Sequence, residues 1–164
     1  MLRDKSLIPL SHQHQHALAL CVRIERASPI PSGDLPSWQI EIAELFQSEI
    51  AVHFGAEERI LFPVAWEFGE LHLLVEDLQR DHEWLRQQFS RAVAKTVSTD
   101  DLSALAQRLS AHIRKEERQL FEGLQERLSR EQLFKLGEKL EAALRETSQV
   151  CLRPTEITKL RVKK

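Results

Sequence analysis

Apolar residues return every three or four positions along most of this chain, and no segment alternates as a half-buried strand would. The spacing predicts four long helices. The first spans about Leu7 to Ala27, with Leu7, Leu10, His14, Ala17, Leu18, Cys21 and Ile24 on its inner stripe. A Pro-rich break, SPIPSGDLPS over 28–37, precedes a second helix that starts near Ser37. That helix carries Ile42, Phe46, Ile50, His53, Glu57 and Ile60 inward. The Phe62-Pro63 step is expected to end or kink it, because proline lacks an N–H and crowds the preceding turn. A third helix, about Glu70 to Val97, turns Leu71, Leu74, Leu78, His82, Leu85 and Phe89 inward. STDD at 98–101 offers an N-cap cluster to a fourth helix reaching about Leu128, with Leu102, Leu105, Leu109, His112, Glu116 and Leu120 inward. SREQ at 129–132 has the form of a capping box and opens a shorter fifth helix over about 130–146. Similar lengths and short connections predict an all-α, up-down-up-down antiparallel four-helix bundle. The extra short C-terminal helix would pack outside it or cap one end. Residues 1–150 read as one domain and 151–164 as a C-terminal tail.

Composition sharpens this. Only 5 Gly and 6 Pro occur in 164 residues, a supply of turn-formers that suits helices. The net charge of -2 offers no basic field for a nucleic-acid partner. No apolar run approaches the ~20 residues of a membrane helix. The opening residues contain no signal-peptide core, so a cytoplasmic location is expected. Cys21 and Cys151 make no disulfide framework, and Cys21 lies in an apolar stripe as a buried thiol. The apolar stripe of the fifth helix permits a homodimer, although packing on the bundle is its preferred role.

The chemistry lies in a repeat. Residues 53–62 read HFGAEERILF and residues 112–121 read HIRKEERQLF, with His, Glu, Glu, Arg, Leu and Phe at the same offsets in two different helices. Positions i and i+4 share a helix face, so His53 with Glu57, and His112 with Glu116, each present an imidazole beside a carboxylate. Both pairs fall in apolar stripes, where polar groups are costly without partners. His14 and His82 sit on the inward stripes of the first and third helices. At a rise of ~1.5 Å per residue the four histidines come out at one level of the bundle. A metal would partner them all. Four imidazoles and two carboxylates without a thiolate suit Fe, Mn or Zn. Zinc alone is normally satisfied by four ligands, so six suggest two ions. If both glutamates bridged, two six-coordinate ions would keep about four positions open for a hydroxo bridge, water or dioxygen.

Neighbouring residues have weaker roles. Glu58 and Glu117 follow the two glutamates by one position and point ~100° away, exposed or at best outer partners. His12 and His16 are themselves an i,i+4 pair, so His16 is an alternative to His14. His14 is preferred because it shares a face with Leu10, Leu18 and Cys21. His72 reads as solvated, Trp38, Trp66 and Trp84 as packing groups, and Phe54, Phe62 and Phe121 as the lining of the site.

The doubled H-x-x-x-E-E-R-x-L-F motif, with PLSHQHQHALAL on the first helix and RDHEWL on the third, resembles the hemerythrin-like family, in particular its HHE cation-binding branch. The resemblance covers roughly residues 7–128. It implies a non-haem di-iron centre with ligands His14, His53, Glu57, His82, His112 and Glu116, the two glutamates bridging. Members carry oxygen, sense oxygen, iron or nitric oxide, or help repair iron centres. Oxygen carriers have a second histidine one turn after the first on the third helix, and here that position is Arg86. The change opens a coordination position or leaves a fixed cation beside it, and weighs against reversible oxygen carriage. The implied function is binding or sensing of oxygen, peroxide or nitric oxide, more a binding protein than an enzyme. The alternatives are a di-iron oxidase or peroxidase-type enzyme, or iron handling and iron-centre repair. No Glu stands three residues before any of these histidines, unlike carboxylate-rich oxygenases, and the absence of Tyr removes a tyrosyl radical.

Overall fold

The structure is a computed structural model that describes residues 2–145. Cys151, the basic end Lys159 to Lys164 and the tail assigned to 151–164 lie outside the described residues. All regular elements among the described residues are helical. Helix α1 is Ile8–Ala27, preceded by a 3₁₀ turn at Lys5–Leu7 whose start is capped by Asp4. Helix α2 covers residues 35–66, α3 is His72–Val93, α4 covers residues 99–127, and α5 is Arg130–Leu144. Helix α1 packs along α4, α2 along α3, and α3 along α4, so four long helices enclose a shared interior.

The boundaries have local causes. Pro36 stands in the first turn of α2, where no N–H is needed, and the helix begins two residues before the expected Ser37. Helix α3 stops at Val93 rather than Val97, because Lys95 takes a left-handed φ of 57°. Its N–H bonds Ala92 O and that of Thr96 bonds Arg91 O, the paired closure of a Schellman end. Capping boxes start α4, with Ser98 and Asp101, and α5, with Ser129 and Gln132.

Helix α2 does not end or break at Pro63. A wider π turn, Glu57–Leu61, comes immediately before it, with the Phe62 N–H bonded to Glu57 O. That turn leaves Pro63 in the first turn of the α segment Phe62–Trp66, where its missing N–H costs nothing. A second π turn in α2 occupies Phe46–Ile50, and a third in α4 occupies Glu116–Leu120.

The core is in two parts, one on each side of a polar layer. One part gathers Leu20, Ile24, Trp38, Ile42, Phe89 and Leu105. The other gathers Leu10, Leu61, Leu78, Leu124 and the buried Leu133, Leu136, Leu140 and Leu144 of α5. Helix α5 therefore covers one end of the bundle. It lies so close to the first turn that a Cβ on Gly137 would stand 2.7 Å from the Cβ of Ser6. Cys21 is buried, and that burial pushes its thiol up to about 12. Among the described residues no helix is long and apolar enough to cross a membrane.

Candidate metal centre

The polar layer between the two core halves contains all six residues singled out in the sequence, four from the doubled motif and His14 and His82 from the other two long helices. His14, His53, His82 and His112 are 3%, 4%, 0% and 1% exposed, and Glu57 and Glu116 are fully buried. Each motif copy is built alike. An α turn brings histidine and glutamate onto one face, and a π turn begins at the glutamate. The extra residue of that turn brings both Leu61 and Phe62, and both Leu120 and Phe121, to the interior. Insertions of this kind are frequent at functional sites.

The histidines meet in pairs. His14 and His53 approach Nε2 to Nε2 at 3.0 Å, and His82 and His112 at 3.2 Å. The carboxylates lie between the pairs and face both. Glu57 Oε1 is 3.1 Å from His53 and 3.8 Å from His14, while its Oε2 is 3.4 Å from His82. Glu116 Oε1 is 3.3 Å from His112 and 4.0 Å from His82, while its Oε2 is 3.2 Å from His14. Two groups result, His14–His53–Glu57–Glu116 and Glu57–His82–His112–Glu116, each with one donor atom per residue gathered within 4.8 Å. Both glutamates belong to both groups.

These residues fit cations. All four carboxylate oxygens of Glu57 and Glu116 are buried with no hydrogen-bond donor. An unpaired buried carboxylate is among the costliest groups in a protein. Four imidazole nitrogens and four carboxylate oxygens directed at two points make the donor set of borderline metals.

Three of the four outer ring nitrogens are held as well. His14 donates from Nδ1 to Glu117 at 2.7 Å, and His82 from Nδ1 to Glu58 at 2.8 Å. His53 donates from Nδ1 to the carboxamide oxygen of Gln13 at 2.8 Å. His112 Nδ1 lies 3.5 Å from Asp81 Oδ2, too long for a good hydrogen bond but close enough to feel its charge. With Nδ1 protonated, the Nε2 lone pair is free to bind, which is the usual role of such outer partners. Glu58 and Glu117 are thus cross-braces: each motif copy supplies one inward carboxylate and one that anchors a histidine of a neighbouring helix. Their doubling in both copies was the signal for this. Gln13 and Asp81 were missed altogether, although each directly precedes a site histidine.

Arg86 does not enter the site. Its guanidinium donates twice to Glu58, at 2.6 and 2.9 Å, and so steadies the brace on His82. His16 points outward onto Glu49, and His12 is exposed, so His14 is the residue of the first helix that reaches the layer. His72 stacks on Trp66. Phe54 stacks on His82 at 3.8 Å between ring centres, Phe62 lies 5.3 Å from it, and Phe121 stacks on His14 at 5.6 Å.

The charges are strongly coupled. Burial alone would raise the Glu57 carboxyl, but His53, His14 and His82 outweigh it and hold it well below the usual range. Glu116 is lowered too, with burial and Glu57 opposing and His112 and His14 prevailing. Burial lowers His14 and His82, yet carboxylate contacts leave both above their ordinary value. His112, against the same burial, is raised to about 9 by Glu116 and Asp81. In the metal-free chain protons therefore occupy the places that cations fit.

Residues 9–124 match the family model of the hemerythrin HHE cation-binding domain. The chain belongs to that family. No curated protein and no solved structure matches it significantly. Membership of the hemerythrin family makes it a cation-binding helical protein, and its paired His/Glu clusters are where a cation fits.

Proposed function

We propose that this chain is a non-haem di-iron protein that binds or senses oxygen, peroxide or nitric oxide at an open dinuclear centre. The observation that carries the reading is the sharing of Glu57 and Glu116 between two histidine pairs. Each pair, with one oxygen from each glutamate, offers four donors. A six-coordinate ion would then keep about two positions for other ligands. Arg86 stands where oxygen carriers place another histidine, so an ion between His82 and His112 would have no more protein donors than one between His14 and His53.

When bound, a pair of ferrous ions supplies electrons to a small oxidant and a vacant position to hold it. The chain does the rest. His14, His53, His82 and His112 would hold the ions by Nε2, and the first three are oriented through Nδ1. Glu57 and Glu116, which belong to both groups, would supply an oxygen to each ion. Phe54, Phe62 and Phe121 wall off water. A cavity of about 10 Å³, room for no more than about one water, adjoins His14, His53 and His112 and is lined also by Gln13, Glu49 and Phe54. We further read the bundle as up-down-up-down and antiparallel, with a cytoplasmic location and residues up to 150 as one unit.

The test is metal analysis of protein from its native host, with visible absorption during anaerobic reduction and re-exposure to oxygen. Iron with a reversible oxygen-dependent charge-transfer band is the expected result. Irreversible bleaching with peroxide consumption would favour an oxidase or peroxidase. Zinc with an unchanged spectrum would remove every redox reading.

A further inference from the structure

Resting on the two-ion reading, we propose that the ions are held unequally and that Gln13 sets the difference. The position between His82 and His112 fills first and keeps its ion. The position between His14 and His53 fills second and exchanges.

The inward donors of the two positions are matched, so the inequality must come from behind the imidazoles and from what covers them. A carboxylate behind a ring N–H makes the inward nitrogen a stronger donor than a neutral amide does. His82 is backed by Glu58, and His14 by Glu117. His112 faces Asp81 at 3.5 Å, a carboxylate held in place by Arg108 at 2.8 Å and by Lys115. His53 alone is backed by a neutral group, the carboxamide of Gln13. The His14–His53 position therefore has one imidazole backed by a carboxylate, whereas both imidazoles of the His82–His112 position have a carboxylate behind them, hydrogen-bonded at Glu58 and 3.5 Å away at Asp81.

The cover differs in the same sense. His82 is fully buried beneath the stacked ring of Phe54. The cavity beside the layer adjoins both His14 and His53, but only His112 of the other pair. Gln13 and Glu49 form part of its wall, and Glu49 is held by the exposed His16. An ion between His14 and His53 thus has the weaker donor and the shorter way out.

The experiment is anaerobic equilibrium dialysis of the metal-free full chain against ferrous iron, with exchange followed using isotopically labelled ferrous iron. The wild type should bind two ions with separated affinities, the weaker one exchanging faster. Gln13→Glu should raise the weaker affinity about 10-fold and slow its exchange, leaving the tighter ion unmoved. Such a gain cannot arise from damaged folding. Asp81→Asn, with helicity checked by circular dichroism, should lower the tighter affinity by about 10-fold and leave the weaker one alone. Two equal affinities in the wild type overturn the inequality, and a Gln13→Glu protein with an unchanged gap overturns the role of Gln13, while the two-ion centre stands. Binding of fewer than two ions overturns both.

Discussion

In the motif copy on α2, the residues between histidine and glutamate are Phe54, Gly55 and Ala56; in the copy on α4 they are Ile113, Arg114 and Lys115. Both copies form the same α turn followed by the same π turn, and both deliver the same inward pair. The intervening positions do different work. Phe54 lies flat on His82 and closes that side of the layer. Lys115 reaches Asp77 and Asp81 on α3, and Asp81 in turn faces His112. One copy seals the layer with an aromatic ring, and the other ties it to a surface charge network. Ligand geometry is thus a property of the i,i+4 spacing alone, while the setting of each ligand depends on residues that the spacing leaves free.

The largest test of this comparison is removal of a shared group. Glu57→Leu or Glu116→Leu takes an oxygen from both positions, so either should cost the chain both ions. His53→Ala or His112→Ala removes a donor from one position and should cost mainly one ion. Metal content per chain, measured by elemental analysis, separates the cases. Equal losses from all four variants would mean that the carboxylates are not shared.

Next in size is the packing difference. Phe54→Ala should destabilise the metal-free protein by about 3–5 kcal/mol in urea unfolding, because the ring is almost fully buried. The corresponding place in the other copy, Ile113→Val, should cost about 1 kcal/mol. Similar values would show that Phe54 is no more of a seal than its counterpart.

The braces should behave alike. Glu58→Gln and Glu117→Gln each remove a carboxylate behind one imidazole, and each should weaken metal binding about 10- to 100-fold. Both carboxyls are held down to about 2, against burial, by the histidines they anchor and by Arg86, or by Ser11 and Arg3. A loss confined to one variant would break the symmetry of the copies.

The smallest effect is protonic. His112, raised to about 9, carries a proton through the neutral range in the metal-free chain, and a metal binds only the neutral ring. Uptake should therefore release protons, and affinity should rise with pH through the neutral range towards about 9. Calorimetry in buffers of different ionisation heat measures that release. Affinity independent of pH would show that these rings are already neutral.

The inward histidines and glutamates were legible because each rests on one helix. His53 and Glu57, or His112 and Glu116, share a face in any α-helix, and the apolar neighbours of His14 and His82 turn them inward whatever the partner helix is. Helix ends were legible where the cap is local, as at Ser98 and Ser129, and misplaced where it is not. Val97 ends no helix because Lys95 turns the chain earlier, a left-handed residue that carries no glycine to announce it. The passage of α2 through Pro63 depends on a π turn that an α-helical pattern does not register. Glu58 and Glu117 read as outward, which is true of their own helices.

By itself the sequence determined the helical class, the inward His–Glu pairs and their common level, since periodicity and rise are properties of a single helix. Only the packed structure decided that Glu58 reaches His82, that Glu117 reaches His14, and that Asp81, not Gln13, stands behind His112. Those contacts depend on which helices lie side by side and how each is rotated about its axis. Burial of the whole apolar surface sets that rotation at once, and no single stretch of chain encodes it.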